Sequence, residues 1–248
     1  MNRNEFLEAL PISRLTVKLV NATLEMCTDS IDDIHVMVSG ADRDVSTLKI
    51  VVNGDQLLIE QPALAIARNP VGVSWMQVTV RLPHSWKGRV EARTVSGWIN
   101  SRNLAGSDLT LDTVSGLVTA TGLEFITAAA KSVSGDIKIN GLTCEKVTLV
   151  STSGDVTVQS ARFTTCSLRN VSGDAALGLL SPFQQIKAIS VSGDLAIEAP
   201  IEACEAVLRS VSGHLRTNGV SIVDGAPISV HFRSVSGVLD LGWTEIIP

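Results

Sequence analysis

The side chains able to do chemistry in this sequence recur in columns instead of clustering. A serine sits inside a Val/Thr-Ser-Gly tripeptide eight times, at Val95-Ser96-Gly97, Val114-Ser115-Gly116, Val133-Ser134-Gly135, Thr152-Ser153-Gly154, Val171-Ser172-Gly173, Val191-Ser192-Gly193, Val211-Ser212-Gly213 and Val235-Ser236-Gly237. A nucleophilic serine needs a base beside it, and no histidine recurs next to the motif. A serine that bonds its own backbone at a turn explains the repetition better. In four consecutive copies the Gly is followed by an acid: Asp136, Asp155, Asp174 and Asp194. Stacked carboxylates are the material of a calcium track, but the nine-residue Gly/Asp repeat of calcium-binding β-rolls is absent. Turn-capping or solvated Asp is therefore the expectation, and neither a metal nor a cofactor is assigned.

A third column is basic. Two residues before the tripeptide stand Arg93, Lys131, Arg169, Arg209 and Arg233, in five of the eight copies. Strand parity turns them outward, where a row of cations could hold an anionic surface polymer such as a wall or capsule polysaccharide. His35, His84, His214 and His231 show neither ligand nor acid–base spacing. Cys27, Cys144, Cys166 and Cys204 contain no CxxC pair and read as ordinary thiols. With no catalytic constellation in sight, the chain reads as a non-enzyme. A polysaccharide-processing enzyme stays open as the weaker alternative, because paired carboxylates meet in space and not in sequence.

Stepping from one tripeptide to the next takes 19, 19, 19, 19, 20, 20 and 24 residues. Such self-similarity marks a repeat architecture in which each unit buries its apolar side only against its neighbours. Within a unit the apolar positions alternate, as in half-buried strands. One strand enters the tripeptide, with inward columns Val90, Leu109, Ala128, Val147, Cys166, Ile186, Ala206, Val230 and Ala92, Leu111, Ala130, Leu149, Leu168, Ala188, Leu208, Phe232. A second leaves it through Ile99, Val118, Ile137, Val156, Ala175, Leu195, Leu215 and Leu239, then Ser101, Ala120, Ile139, Val158, Leu177, Ile197, Thr217 and Leu241. Pro182, Pro200 and Pro227 fall in the variable corner, where no ladder bond is lost. The expected fold is all-β: a single-stranded β-helix (β-solenoid) of about eight regular 19–20-residue rungs over residues 90–248. Residues 1–89 form a β-rich N-terminal cap or irregular early rungs. In that region Asn53-Gly54 predicts a hairpin turn, Trp75–Leu82 alternates as a strand, and Asn4–Leu10 is expected to form a turn or two of helix.

The composition fits an ordered domain and excludes several classes. Of 248 residues, 45% are apolar and 18% charged, which is far from disorder. The net charge of −5 argues against a nucleic-acid partner. No apolar run is long enough to span a membrane, and the N-terminus lacks a signal-peptide layout. On sequence alone the chain is expected in the cytoplasm.

The run Val78-Thr79-Val80-Arg81-Leu82-Pro83, then Thr94-Val95-Ser96-Gly97, then repeated Ser-Val-Ser-Gly-Asp-Ile, resembles a bacterial "putative adhesin" family. That family is a domain of unknown function built of β-strand repeats, with members tied to Lia-type envelope stress. The resemblance runs from about residue 33 to the end. It implies a β-helix fold, an adhesive or envelope-associated role, and no catalytic residues to transfer. Expected partners are a protein or cell-surface polymer. The alternative is a self-assembling scaffold rod, formed by self-association through the last rung, Val235–Leu241, whose edge is covered only by Gly242–Pro248. Trp243, Ile246 and Ile247 are the candidates for that lid or contact.

Overall fold

Alternating apolar residues produce strands nearly everywhere, and parallel pairing between equivalent positions turns the strands into walls. The computed structural model describes residues 1–9, 11–62 and 76–245. The expectations placed on Trp75, Ile246 and Ile247 lie outside the described residues. Two units are distinguished, residues 1–125 and 126–248.

The first unit contains β1 (Asn2–Leu7), β2 (Arg14–Leu19), β3 (Thr23–Asp29), β4 (Ile34–Gly40), the short helix α1 (Asp42–Thr47), β5 (Lys49–Asn53), β6 (Gln56–Glu60), β7 (Met76–Pro83), β8 (Arg89–Ser96), β9 (Ile99–Arg102) and β10 (Ala105–Ser115). The strand β11 (Val118–Ser134) begins here and runs on into the second unit. One wall is ordered β5–β6–β2–β8–β10. The other is β1–β4–β7–β3–β9–β11. The pairs that continue the repeat are parallel and in register, for example Leu109 on Val90 and Val118 on Ile99. Their inward side chains, including Leu15, Val17, Leu24, Val78, Ala92 and Leu111, are fully buried.

Residues 14–29 form a repeat that a search for Ser-Gly passes over. Leu19 pairs with Thr94 and Leu24 with Ile99, so Val20-Asn21-Ala22 occupies the place of Val95-Ser96-Gly97. The corner is closed by Gln61, whose Oε1 accepts the Val20 and Asn21 amides at 2.9 and 3.1 Å. This repeat lies between β6/β7 and β8/β9, although β6 and β7 come after it in the chain. Two local expectations change. The helix expected over Asn4–Leu10 is replaced by a strand as far as Leu7, Leu10 lying outside the described residues: β1 pairs antiparallel with β4, with Phe6 opposite His35, because alternating half-exposed residues suit an edge strand better than a helix face. The hairpin tip is Gly54-Asp55, one residue later than predicted. Asn53 pairs with Gln56, and Gly54 at φ +60° takes the first turn position, as a type II′ turn prefers.

In the second unit follow β12 (Ile137–Ser153), β13 (Val156–Ser172), β14 (Ala175–Leu179), β15 (Gln185–Ile189), β16 (Leu195–Ala199), β17 (Ala203–Asn218), β18 (Ser221–Ile222) and β19 (Ser229–Trp243). β12 lies on β13 with a constant offset of 19 residues, from Ile137 on Val156 to Ser153 on Ser172. β13 then pairs with β14 and β15, and β14 with β16.

The next repeat does not continue in chain order. β15 and β16 both pair with β19, and β17 pairs with the far side of β19. The eighth copy of the tripeptide is thus inserted between the sixth and the seventh. This corrects the expectation that successive copies stack in sequence and that Val235–Leu241 is the exposed last rung. The consequence appears in burial: Leu239 is fully buried, whereas Leu215, expected in the core, is 38% exposed. Ala206 and Leu208 are likewise only half-buried.

Candidate functional site

The corners come first, because they carry the repeated Ser, Gly and Asp. A Cβ placed on Gly154 would lie 2.5 Å from the Gly135 carbonyl oxygen, and one on Gly173 would lie 2.6 Å from that of Gly154. The same overlap with the preceding corner occurs at Gly97 against Ala22, at Gly193 against Gly173, and at Gly237 against Gly193. Glycine is needed here because one backbone passes directly over the next. At Gly173, φ of +110° adds a conformational reason.

The Asp column forms a ladder of hydrogen bonds. The amides of Asp155, Asp174 and Asp194 donate to Oδ1 of the preceding Asp at 3.1, 2.9 and 2.9 Å. Val238 N–H ends the series on Asp194 at 2.8 Å, which independently reports that the eighth copy follows the sixth. These carboxylates cap corner amides, as expected. Among the described residues no group of three or more His, Cys, Asp or Glu is arranged to hold a metal ion.

The turn bond expected of the tripeptide serine is made elsewhere. Seven of those serines face solvent and Ser236 is half-buried. At two corners the residue preceding the tripeptide makes that bond: Ser151 Oγ donates to the Gly154 carbonyl at 3.0 Å, and the Asn170 side-chain amide donates to that of Gly173. It belongs to a small polar file, Ser132, Ser151, Asn170 and Ser190 in the second unit, that is 2–7% exposed. Its signal in sequence was a Ser, Thr or Asn before every tripeptide. The tripeptide valines point outward instead, Val171 at 46% and Val191 at 48% exposure.

The basic column divides between the units. In the first, Arg93 is engaged, with Nε 2.9 Å from Glu91 and 4.0 Å from Asp112. In the second, Arg169, Arg209 and Arg233 are exposed on the wall that enters the corner, as is Lys131 on β11. They are not consecutive. The observed file runs Val150, Arg169, Ile189, Arg233, Arg209. Two neighbouring files add cations that spacing from the tripeptide did not single out: Lys187 beside Ser167 and His231, and Lys146 beside Thr165. Through these three files the sole carboxylate among the described residues is Glu205, on β17. A chain of net charge −5 therefore presents one wall that is almost purely basic.

The remaining reactive groups are scattered. His35 makes an edge-on ring contact with Phe6 at 4.6 Å. His214 is exposed on β17 and His231 half-buried on β19. Cys144 and Cys166 are buried, and burial pushes both thiols up to about 12. A shallow hollow in the first unit, about 340 Å³, is lined by Glu25, Cys27, Asp29, Arg81 and Arg102. Arg81 pairs with Asp29 at 3.4 Å.

Residues 12–226 match the family described as Toastrack DUF4097. The chain belongs to that family. Solved structures share the Toastrack fold over nearly their whole length. A "putative adhesin" from Parabacteroides distasonis superposes with a TM-score of 0.61 at 17% identity, covering 97% of both chains. A "putative adhesin" from Bacteroides fragilis gives 0.57 at 17% identity, again covering 97% of both. A "putative lipid binding protein" from Parabacteroides distasonis gives 0.60 at 14% identity, covering 99% of this chain and 96% of that one. At such identities the likeness is one of fold. No curated protein matches the chain in sequence. Among the described residues no helix is long and apolar enough to cross a membrane.

Proposed function

We propose that this Toastrack chain is a non-catalytic β-solenoid of about eight regular rungs, spanning residues 90–248 behind a β-rich N-terminal region of residues 1–89. It acts as an adhesin-like module that holds an anionic polymer of the cell surface. The observation that carries the reading is the basic wall of the second unit, with Lys131, Lys146, Arg169, Lys187, Arg209 and Arg233 exposed and Glu205 as the lone acid in the paired files. Parallel strands lie ~4.8 Å apart, so Arg169, Arg233 and Arg209 each stand one or two strand spacings from the next along their file, within reach of an extended chain of carboxylates or phosphodiesters. The description "putative adhesin" carried by two of the neighbouring structures agrees with a surface that binds.

The catalytic alternative finds little support in the hollow of the first unit. Glu25 and Asp29 lie four residues apart on one strand, their α-carbons roughly 13 Å apart at ~3.3 Å per residue, and Asp29 is paired with Arg81 at 3.4 Å. Glycosidase carboxylates stand ~5–9.5 Å apart.

The test is binding of a soluble polyuronate and of a teichoic-acid-type polyphosphodiester, measured at two salt concentrations. At about 0.5 kcal/mol per exposed charge, the variant K131A/R169A/K187A/R233A loses about 2 kcal/mol, roughly thirtyfold in affinity. The Arg93→Ala control, whose charge is already paired, binds as the parent does. Binding that is indifferent to the quadruple change, or absent from the unmodified protein at low salt, refutes the reading.

A further inference from the structure

At one end of the first unit each wall finishes on a strand that, among the described residues, is paired along a single edge: β1 on β4, and β5 on β6. An unpaired strand edge is a template for another strand unless proline, a bulge or inward-pointing charge blunts it. β1 is blunted. Its Arg3 and Glu5 stand opposite the buried Val38 and Val36, on the core-facing side of the wall, and pair with each other at 3.0 Å. β5 lacks any such device. It reads Lys-Ile-Val-Val-Asn, and its core-facing residues are Ile50 and Val52, opposite the buried Ile59 and Leu57. Val51 and Val52 are 47% and 43% exposed.

In a two-residue hairpin the residues flanking the turn form a hydrogen-bonded pair, and such pairs then alternate along the ladder. With Asn53 on Gln56, the backbone groups of Asn53, Val51 and Lys49 are directed to β6. Those of Ile50 and Val52 point to the open side, where no described residue bonds them. The Leu48 carbonyl, next in that series, already accepts from Arg3 Nη1 at 2.8 Å. An antiparallel copy of β5 centred on Val51 sets Ile50 opposite Val52 twice, and facing pairs of this kind exchange both their hydrogen bonds. The ladder then ends with Lys49 opposite Asn53, because at Gly54 the chain turns away toward its own β6, one residue short of Leu48 and its Arg3. The lysines, the sole charges on the two strands, stand at opposite ends, roughly 13 Å apart at ~3.3 Å per residue. Any strand could use the two free bonding residues, but a second copy also brings matching apolar side chains in register. We infer that the edge of β5 seats a second copy of this chain, paired antiparallel about a two-fold axis through Val51. Such an isologous contact closes on itself. It joins the core-facing Ile50 and Val52 of the two copies and covers Val51.

Sedimentation of the full chain from about 1 to 100 µM tests this, with circular dichroism as the check on folding. The expected result is a concentration-dependent dimer. Val51→Lys and Val51→Glu each weaken it at least about tenfold, since each sets like charges directly opposite across the axis. An equimolar mixture of these two variants restores it as a heterodimer, and recovery on mixing separates a self-facing contact from mere damage to β5. As a second measurement, Val52→Pro removes an N–H that points away from β6, so it keeps the fold and abolishes the dimer. A monomer throughout the range, a dimer indifferent to the Val51 and Val52 changes, or a mixture as weak as its parts would overturn the inference. It does not depend on polymer binding, which the Lys131, Arg169, Lys187 and Arg233 changes report separately.

Discussion

Replacing Gly173 by Ala probes the corner directly. Gly173 has φ of +110°, which a residue with a Cβ adopts only under strain of ~1–3 kcal/mol. Its Cβ would stand 2.6 Å from the Gly154 oxygen, 2.9 Å from the Gly154 carbonyl carbon and 3.1 Å from Asp155 Oδ1. Two of these atoms are backbone held by neighbouring ladders, so relief requires the corners to move apart, at a further ~1–3 kcal/mol. Together the cost is about 4 kcal/mol. For a chain of this size that corresponds to a melting temperature roughly 8–16 °C lower. Gly178→Ala is the matched control. It lies in β14, its nearest neighbour would be 3.7 Å away, and its φ is outside the left-handed region. By restricting the unfolded chain it leaves stability unchanged or raises it by up to ~1 kcal/mol. Differential scanning calorimetry on the two variants decides the matter, with hydrogen exchange of β13 and β14 locating the damage. Equal melting of Gly173→Ala and Gly178→Ala would refute the close-approach account of the repeated glycine.

Two shorter predictions concern the neighbouring files. Asp155→Ala removes the acceptor of the Asp174 amide and costs about 1–2 kcal/mol. Asp155→Asn, which keeps an acceptor oxygen, costs less than half as much, and millimolar calcium leaves the melting temperature of the unmodified protein unchanged. In the native state a thiol reagent labels half-buried Cys27 first, and Cys166 reacts only on unfolding. The folded thiol of Cys166 is pushed up to about 12 from 9.0. Above pH 9 the unfolded chain therefore binds fewer protons, and stability falls until pH 12. Cys166→Ala should flatten that alkaline slope in denaturant titrations, and an unchanged slope would show that other groups cause it.

Much of the fold was legible because its periodicities are physical ones. Inward columns such as Val147–Cys166–Ile186 could be read from alternation, and Asp capping from acids that follow a corner glycine. What escaped did so for equally definite reasons. Val20-Asn21-Ala22 does the work of Val-Ser-Gly with different letters. The Ser that is repeated most strictly faces water, while from the less uniform position before it Ser151 and Asn170 bond the corner. Lys146 and Lys187 escape the spacing because they stand six and four residues upstream of the tripeptide, and only the registered wall shows them near Arg169 and Arg233.

The order of the last two repeats is the deeper case. Each repeat offers its neighbours nearly the same apolar columns and the same corner, so the columns alone hardly distinguish one order from another. The decision falls to residues that differ. Thr217 stands where other repeats place Leu177, Ile197 or Leu241. A repeat with a weaker core face costs least at the open end, where that face is not fully desolvated. The repeat ending in Leu239 and Leu241, both buried, gains most between two neighbours. Reaching that position requires the chain to pass back over β17 after β18, and the step of 24 residues from Val211 to Val235, in place of 19 or 20, supplies the length. The long step and the polar seventh repeat thus have one cause, and together they place β17 outside β19.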